Sequence, residues 1–187
     1  MPQFLGAVVI VLPVVVMAAQ RAAVLRSFNT VVNLETTSED SANVSLGDLD
    51  GDGDLDIVLA KGRHTPLLDR VLINVGKGRF VASDLGPTPD RTYTAALADL
   101  DADGDLDVLT SNDTPDKKLV YVNDGKGRFT VAGMWGVAEW STRNATLADL
   151  NGDGRIDVIA ANRPGPSFVC LNQGGGRYAS DCIKIPA

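Results

Sequence analysis

Three stretches of this chain place oxygen-bearing side chains at alternate positions around a glycine. The first contributes Asp48, Asp50, Asp52, Asp54 and Asp56. The second contributes Asp99, Asp101, Asp103, Asp105 and Asp107, and the third Asp149, Asn151, Asp153, Arg155 and Asp157. Counted from the first aspartate, positions 1, 3, 5 and 9 are always Asp or Asn, and position 6 is Gly53, Gly104 or Gly154. Short carboxylates at alternate positions converge on one point, and glycine permits the sharp turn between them. This is the donor set of a hard divalent cation. Position 7 changes from Asp54 and Asp105 to Arg155, which fits a ligand donated by the backbone carbonyl and not by the side chain. Asp-Gly runs also make plain solvated turns, but three copies with the same oxygen positions favour cation binding. Many anionic ligands on a flexible loop favour Ca²⁺ over Mg²⁺, with one ion expected per copy and three in all. The loop is not an EF-hand, because position 12 holds Leu59, Thr110 and Ala160 in place of a bidentate Glu.

The charge of the chain is concentrated in these loops. They hold 13 of the 24 acidic residues, whereas the net charge is −7. The rest of the chain is therefore net positive, and three bound divalent ions would bring the whole close to neutrality. No basic stripe of the kind a nucleic-acid partner needs is present.

The elements that must position the loops are short strands. Leu55–Leu59 and Leu106–Thr110 follow their loops as apolar, β-branched runs, not as helices. The loops begin 51 and 50 residues apart, and a second marker, Asn-x-Gly-x-Gly-Arg-aromatic, recurs at Asn74–Phe80, Asn123–Phe129 and Asn172–Tyr178 with spacings of 49 and 49. Two markers in one register establish an internal repeat. Each repeat reads as four strands. The third is expected at Ala145–Ala148, Ile156–Ala160, Phe168–Asn172 and Tyr178–Ala179. Four strands repeating every ~40–50 residues are the blade of a β-propeller. The fold expected is thus all-β, with three four-stranded blades at about 40–85, 91–133 and 141–186 and a leading strand near Phe28. Closed rings use ~4–8 blades, so three leave the ring incomplete or open.

Ala98-Asp99-Leu100-Asp101-Ala102-Asp103-Gly104-Asp105-Leu106-Asp107, followed by Tyr121-Val122-Asn123-Asp124-Gly125-Lys126-Gly127-Arg128-Phe129, resembles the FG-GAP/VCBS repeat of secreted bacterial proteins and, more distantly, the integrin α-subunit propeller. The resemblance spans about residues 40–182. It implies a propeller with one Ca²⁺ loop per blade.

Residues 4–19 carry no charge and are too few for the ~20 residues of a membrane-spanning helix. Residues 1–19 are accordingly read as a signal peptide or short N-terminal anchor, and 20–187 as an exported repeat domain, secreted or held at the cell surface or in the periplasm. Cys170 and Cys182 either pair or remain two thiols; a hairpin centred at Gly174–Gly175 would set Cys170 opposite Ala179, three residues from Cys182. His64 stands alone and reads as a solvated loop residue. Trp135, Trp140, Arg91 and Arg143 are candidates for a ligand surface, set against the plainer reading of tryptophans packed between blades. The sequence favours a non-enzymatic adhesion or recognition module binding a protein or carbohydrate, with self-association or completion by another propeller segment. The alternative is an extracellular hydrolase or lyase whose carboxylates would be drawn from Asp84, Asp90, Asp116 and Glu139, outside the loops.

Overall fold

The computed structural model describes residue 31 and residues 33–186. The apolar run at 4–19 and the leading strand near Phe28 lie outside the described residues. From Leu34 onward the chain is one compact unit. Among the described residues no helix is long and apolar enough to cross a membrane.

Among the described residues, twelve strands form three antiparallel four-stranded sheets. Blade 1 holds β1 (Ser41–Gly47), β2 (Asp56–Lys61), β3 (Arg70–Asn74) and β4 (Phe80–Asp84). Blade 2 holds β5 (Thr92–Ala98), β6 (Asp107–Asn112), β7 (Leu119–Asn123) and β8 (Phe129–Met134). Blade 3 holds β9 (Thr142–Ala148), β10 (Asp157–Asn162), β11 (Phe168–Cys170) and β12 (Ile183–Lys184). The sheets are open, as three blades of an incomplete propeller should be.

The second strand of each blade is apolar on both faces because it lies between two neighbours. Val58 and Ala60 of β2 pack with Val108 of β6 and Ala95 of β5, whereas Ile57 and Leu59 face the other way, toward Leu34. Leu109 of β6 packs with Val158 of β10, Ala145 and the buried Trp135. Each seam between blades is thus a small core of its own. Trp135 fills the second seam, and its indole N–H donates to the Thr110 carbonyl at 2.9 Å, so it is a packing residue with no free face for a ligand.

The last strand of blade 3 departs from the expected position. Tyr178 does pair with Asn172, but only as an isolated bridge, and the ladder resumes at Val169↔Ile183 and Phe168↔Lys184. Two extra residues have entered the strand. The corresponding hairpin of blade 2 admits one, at Val120/Tyr121. The shift sets Cys182 opposite Cys170, where the two form a disulfide with Cα atoms 4.4 Å apart. That bulge resolves the register difficulty posed by a regular hairpin.

Candidate functional site

In each blade the first strand runs into the acidic loop, and the third ends at the marker turn. All three loops and all three turns therefore lie at one end of the blades. Within each loop, backbone N–H groups hold the carboxylates. Asp48 accepts from Gly51 N at 2.8 Å and Gly53 N at 3.0 Å, Asp50 from Asp52 N at 3.3 Å, and Asp52 from Asp54 N at 2.8 Å. The second loop repeats this: Asp99 accepts from Ala102 N and Gly104 N, Asp101 from Asp103 N, and Asp103 from Asp105 N. Such bonds fold the loop around its own aspartates. Two positions need the left-handed backbone: position 6, at φ +89°, +100° and +81° in Gly53, Gly104 and Gly154, and position 4, where Gly51, Ala102 and Gly152 lie between +69° and +78°. Ala102 takes this conformation without being glycine, which costs on the order of 1 kcal/mol.

Carboxylate oxygens of Asp48, Asp50 and Asp52 lie within 4.8 Å of one another, as do those of Asp99, Asp101 and Asp107. Partial burial comes first among the causes that raise the Asp50 carboxyl above its ordinary range; for Asp101, burial is followed by Asp103. This is the environment expected of a site short of positive charge. The third loop differs. Arg155 reaches back to Asp153 at 2.6 Å, Asn151 Nδ2 donates to the same oxygen at 3.0 Å, and hydrogen bonds led by the Arg155 N–H hold Asp153 below its usual value. Residues already on the chain answer its charge.

Position 9 has a second role that its spacing alone does not reveal. Asp56, Asp107 and Asp157 are fully buried. Each accepts a backbone N–H from loop position 2 and another from the marker asparagine: Leu49 and Asn74 at 2.8 and 2.7 Å, Leu100 and Asn123 at 2.8 Å each, Leu150 and Asn172 at 3.0 and 2.9 Å. Burial is the main force raising Asp107 to about 6. Asp107 both joins the acidic cluster of its loop and clamps that loop to the third strand. Asp56 makes the same clamp in the first loop and lies close enough to Asp50 to help raise that carboxyl.

The marker asparagine then reaches out of its own blade. Asn123 Nδ2 donates to the Leu49 carbonyl of blade 1 at 2.8 Å, and Gly127 N donates to the same oxygen at 2.8 Å. Asn172 Nδ2 and Gly176 N meet the Leu100 carbonyl of blade 2 at 2.8 and 3.2 Å. Gly127 sits at φ +69°, where a side chain would strain the backbone, and a Cβ there would come within 2.5 Å of Ile73 Cδ1, so Ile73 would have to shift.

Sequence match agrees with this geometry: residues 48–110, from the first acidic loop through most of β6, match the model of an FG-GAP-like repeat. By structure the chain is similar to an Agrocybe aegerita lectin described by its specific recognition of non-reducing terminal N-acetylglucosamine, with a TM-score of 0.50 and 23% identity. The match covers 76% of this chain and 37% of the lectin, so the chain spans little more than a third of that protein's length. At this identity the likeness concerns the fold. No curated protein matches the chain by sequence.

The opposite end of the blades collects the other singled-out residues. Arg143 lies over the Tyr93 ring, 4.2 Å from its centroid, with Arg63 at 5.8 Å from the same point and His64 Nδ1 3.2 Å from the Tyr93 hydroxyl. Burial, and then the neighbouring Arg163 and Arg63, hold Arg143 below its usual value. Trp140 stacks on Phe168 at 4.1 Å. Arg91 is engaged by both oxygens of Asp116, at 3.0 and 2.9 Å. Of the remaining carboxylates, Asp84 is paired with Arg70 and Glu139 is exposed. Asp90, raised to about 6 by burial and then by Asp116, shares a cavity of about 310 Å³ with Asp116.

Proposed function

We propose that this protein is an exported, Ca²⁺-binding recognition module whose ligand is a carbohydrate. The observation that carries the calcium reading is the convergence of carboxylate oxygens within 4.8 Å in the first two loops, on backbone already folded around them. The donor set fits a hard cation: Asp48, Asp50 and Asp52 would hold it in the first loop, Asp99, Asp101 and Asp107 in the second. A bound ion would supply the positive charge these loops lack and would stabilise the folded chain by mass action. The third loop, with Asp153 engaged by Arg155, would bind more weakly. Export rests on the uncharged run at residues 4–19. The carbohydrate reading is supported by the lectin likeness, and by the half-buried Trp140 and Arg143, the latter lying over the buried Tyr93, at the end away from the loops.

Thermal melts and a glycan-binding screen, each with Ca²⁺ and with chelator, test both halves. Millimolar Ca²⁺ is expected to raise the melting temperature strongly and Mg²⁺ less so. In calorimetry, Asp52→Ala is expected to remove a tighter site than Asp153→Ala. A melt indifferent to Ca²⁺ and chelator refutes the metal reading, and a screen without any sugar ligand refutes the carbohydrate reading. A second reading, a polymer hydrolase or lyase, draws on Asp90 and Asp116: a carboxyl near pH 6 beside an arginine-paired carboxylate is an acid–base combination. Turnover of a polysaccharide that Asp90→Asn abolishes would establish it.

A further inference from the structure

The two seams inside the molecule set a standard against which its two outer faces can be judged. On the face of blade 2 that meets blade 1, Ala95, Leu97 and Leu106 are packed into the seam, and on the corresponding face of blade 3 Ala145, Leu147 and Ile156 are. Their counterparts on the outer face of blade 1 are Val44, Leu46 and Leu55, exposed at 55, 59 and 58%. On the opposite side the pattern is mirrored. Leu49 and Leu100 are 1 and 2% exposed, whereas Leu150, the same loop position in blade 3, is 44% exposed. Ile159 and Ala161 have likewise lost the cover that Val58 and Ala60 enjoy.

The hydrogen-bonding groups of the seam are open at the same two places. Asn123, Gly127, Asn172 and Gly176 are buried where they grip the preceding blade, while Asn74 is half-buried and Gly78 exposed. Among the described residues, the Asn74 amide donates only to Leu55 O of its own blade, at 3.3 Å. At the other end, no bond of the kind that Asn123 and Asn172 make reaches the Leu150 carbonyl among the described residues. One outer face thus presents the donors, and the other the acceptor, of the same latch.

The geometry points to a head-to-tail pairing of two copies of this chain, in which Leu150 of one copy docks against Val44, Leu46 and Leu55 of the next and Asn74 and Gly78 grip the Leu150 carbonyl. Such a contact is heterologous, and it closes only if the blades complete a ring. Two copies together bring six described blades, and rings have ~4–8, so a closed pair lies within that range. One seam residue settles which chain fills the joint. Leu85, Trp135 and Ile185 make the same backbone bond, donating to the carbonyls of Asp69, Lys118 and Ser167 at 2.9, 3.1 and 2.9 Å. The first two plug the seams. Leu34, 51 residues before Leu85 and already packed beside Ile57 and Leu59, supplies that plug for blade 1. Ile185, 37% exposed just after the two-residue β12, is therefore left at the rim of the joint.

Sedimentation of the full chain in Ca²⁺ tests this. The wild type is expected to run as a dimer. Leu46→Glu and Leu150→Glu should each weaken self-association roughly 100-fold, as a charge buried in a seam would. Mixed together they should form a one-to-one pair, because each retains the face the other has lost. Ile185→Glu should still dimerise. Leu55→Glu replaces Leu46→Glu if circular dichroism shows the latter misfolded. A wild type that is monomeric at tens of micromolar, a Leu150→Glu variant that still dimerises, or a mixture that fails to pair overturns the proposal.

Discussion

Replacing Asn123 by alanine should cost far more than the same change at Asn74, although both open the same marker turn. The Asn123 amide donates twice, to Leu49 O at 2.8 Å and to Leu106 O at 3.1 Å, in a buried seam. A net ~0.5–1.5 kcal/mol for each bond, and a further penalty for a buried carbonyl left short of a donor, come to about 2–4 kcal/mol. For a domain of this size, at roughly 2–4 °C per kcal/mol, the melting temperature should fall on the order of 10 °C. Asn74 makes one long amide bond, at 3.3 Å, and caps its turn by accepting from Gly76 N at 3.0 Å. Its loss should cost about 1 kcal/mol. The measurement is calorimetric melting at saturating Ca²⁺ in the Leu150→Glu background, where docking of a second copy cannot supply Asn74 with a partner. Hydrogen exchange should also show β1–β4 opening before the other strands in Asn123→Ala, since the lost bonds are those that tie blade 1 to blade 2. Equal losses for the two variants would refute the latch and reduce the asparagine to a turn residue.

Two further outcomes concern stability. Asp69 is buried, and burial leads the causes that raise it from 3.8 to about 7, although Lys61 N and Thr92 Oγ1 donate to it at 2.7 and 2.8 Å. Between about pH 4 and 7 the unfolded chain releases this proton while the folded chain keeps it, so the contribution of Asp69 to stability declines as pH rises through that window. Asp69→Asn should therefore gain on the wild type in melting temperature from pH 5 to pH 8, and a gap that moves the other way would mean that the ionised carboxylate is the form those donors hold. Cys182→Ser should cost about 3 kcal/mol, the scale for a disulfide closing a short loop, here one of sequence separation 12. The loss should appear as faster exchange at Phe168 and Val169; a melt unmoved by reductant would show that packing alone retains β12.

The blades were legible in the sequence because both determinants of a blade are local. Loops spaced 51 and 50 residues apart fix the register, and runs such as Ile57–Ala60, apolar at every position, mark strands buried on both faces. The expected strand at Tyr178–Ala179 failed for an equally physical reason. Its first rung, Asn172↔Tyr178, is present, but a strand pattern cannot show that two extra residues will loop out so that Cys182 can meet Cys170. Left-handed backbone at Ala102 was hidden too, because no turn residue announces it. Most consequentially, the marker asparagine looked like punctuation at the start of a turn, whereas its partners lie 74 and 72 residues away.

Those long-range bonds change what the two sequence markers mean together. The Leu49 peptide is held on its N–H side by Asp56 of its own loop and on its carbonyl side by Asn123 and Gly127 of the next blade. The Leu100 peptide is held in the same way by Asp107 on one side and by Asn172 and Gly176 on the other. Acidic loop and marker turn are therefore parts of one device, in which position 2 of each loop is the point where one blade is fastened to the next. Whatever orders a loop also sets the carbonyl that the following blade must find. A disturbance at Asp99 or Asp101 should accordingly be felt in the packing of Trp135 and Val158 across the seam, and not only at the loop that carries it. The third loop has nothing described beyond it to fasten. Its aspartate is engaged by Arg155 and its Leu150 stands exposed, so among the described residues the acceptor end of the device is built there but not used, just as its donor end is at Asn74 and Gly78.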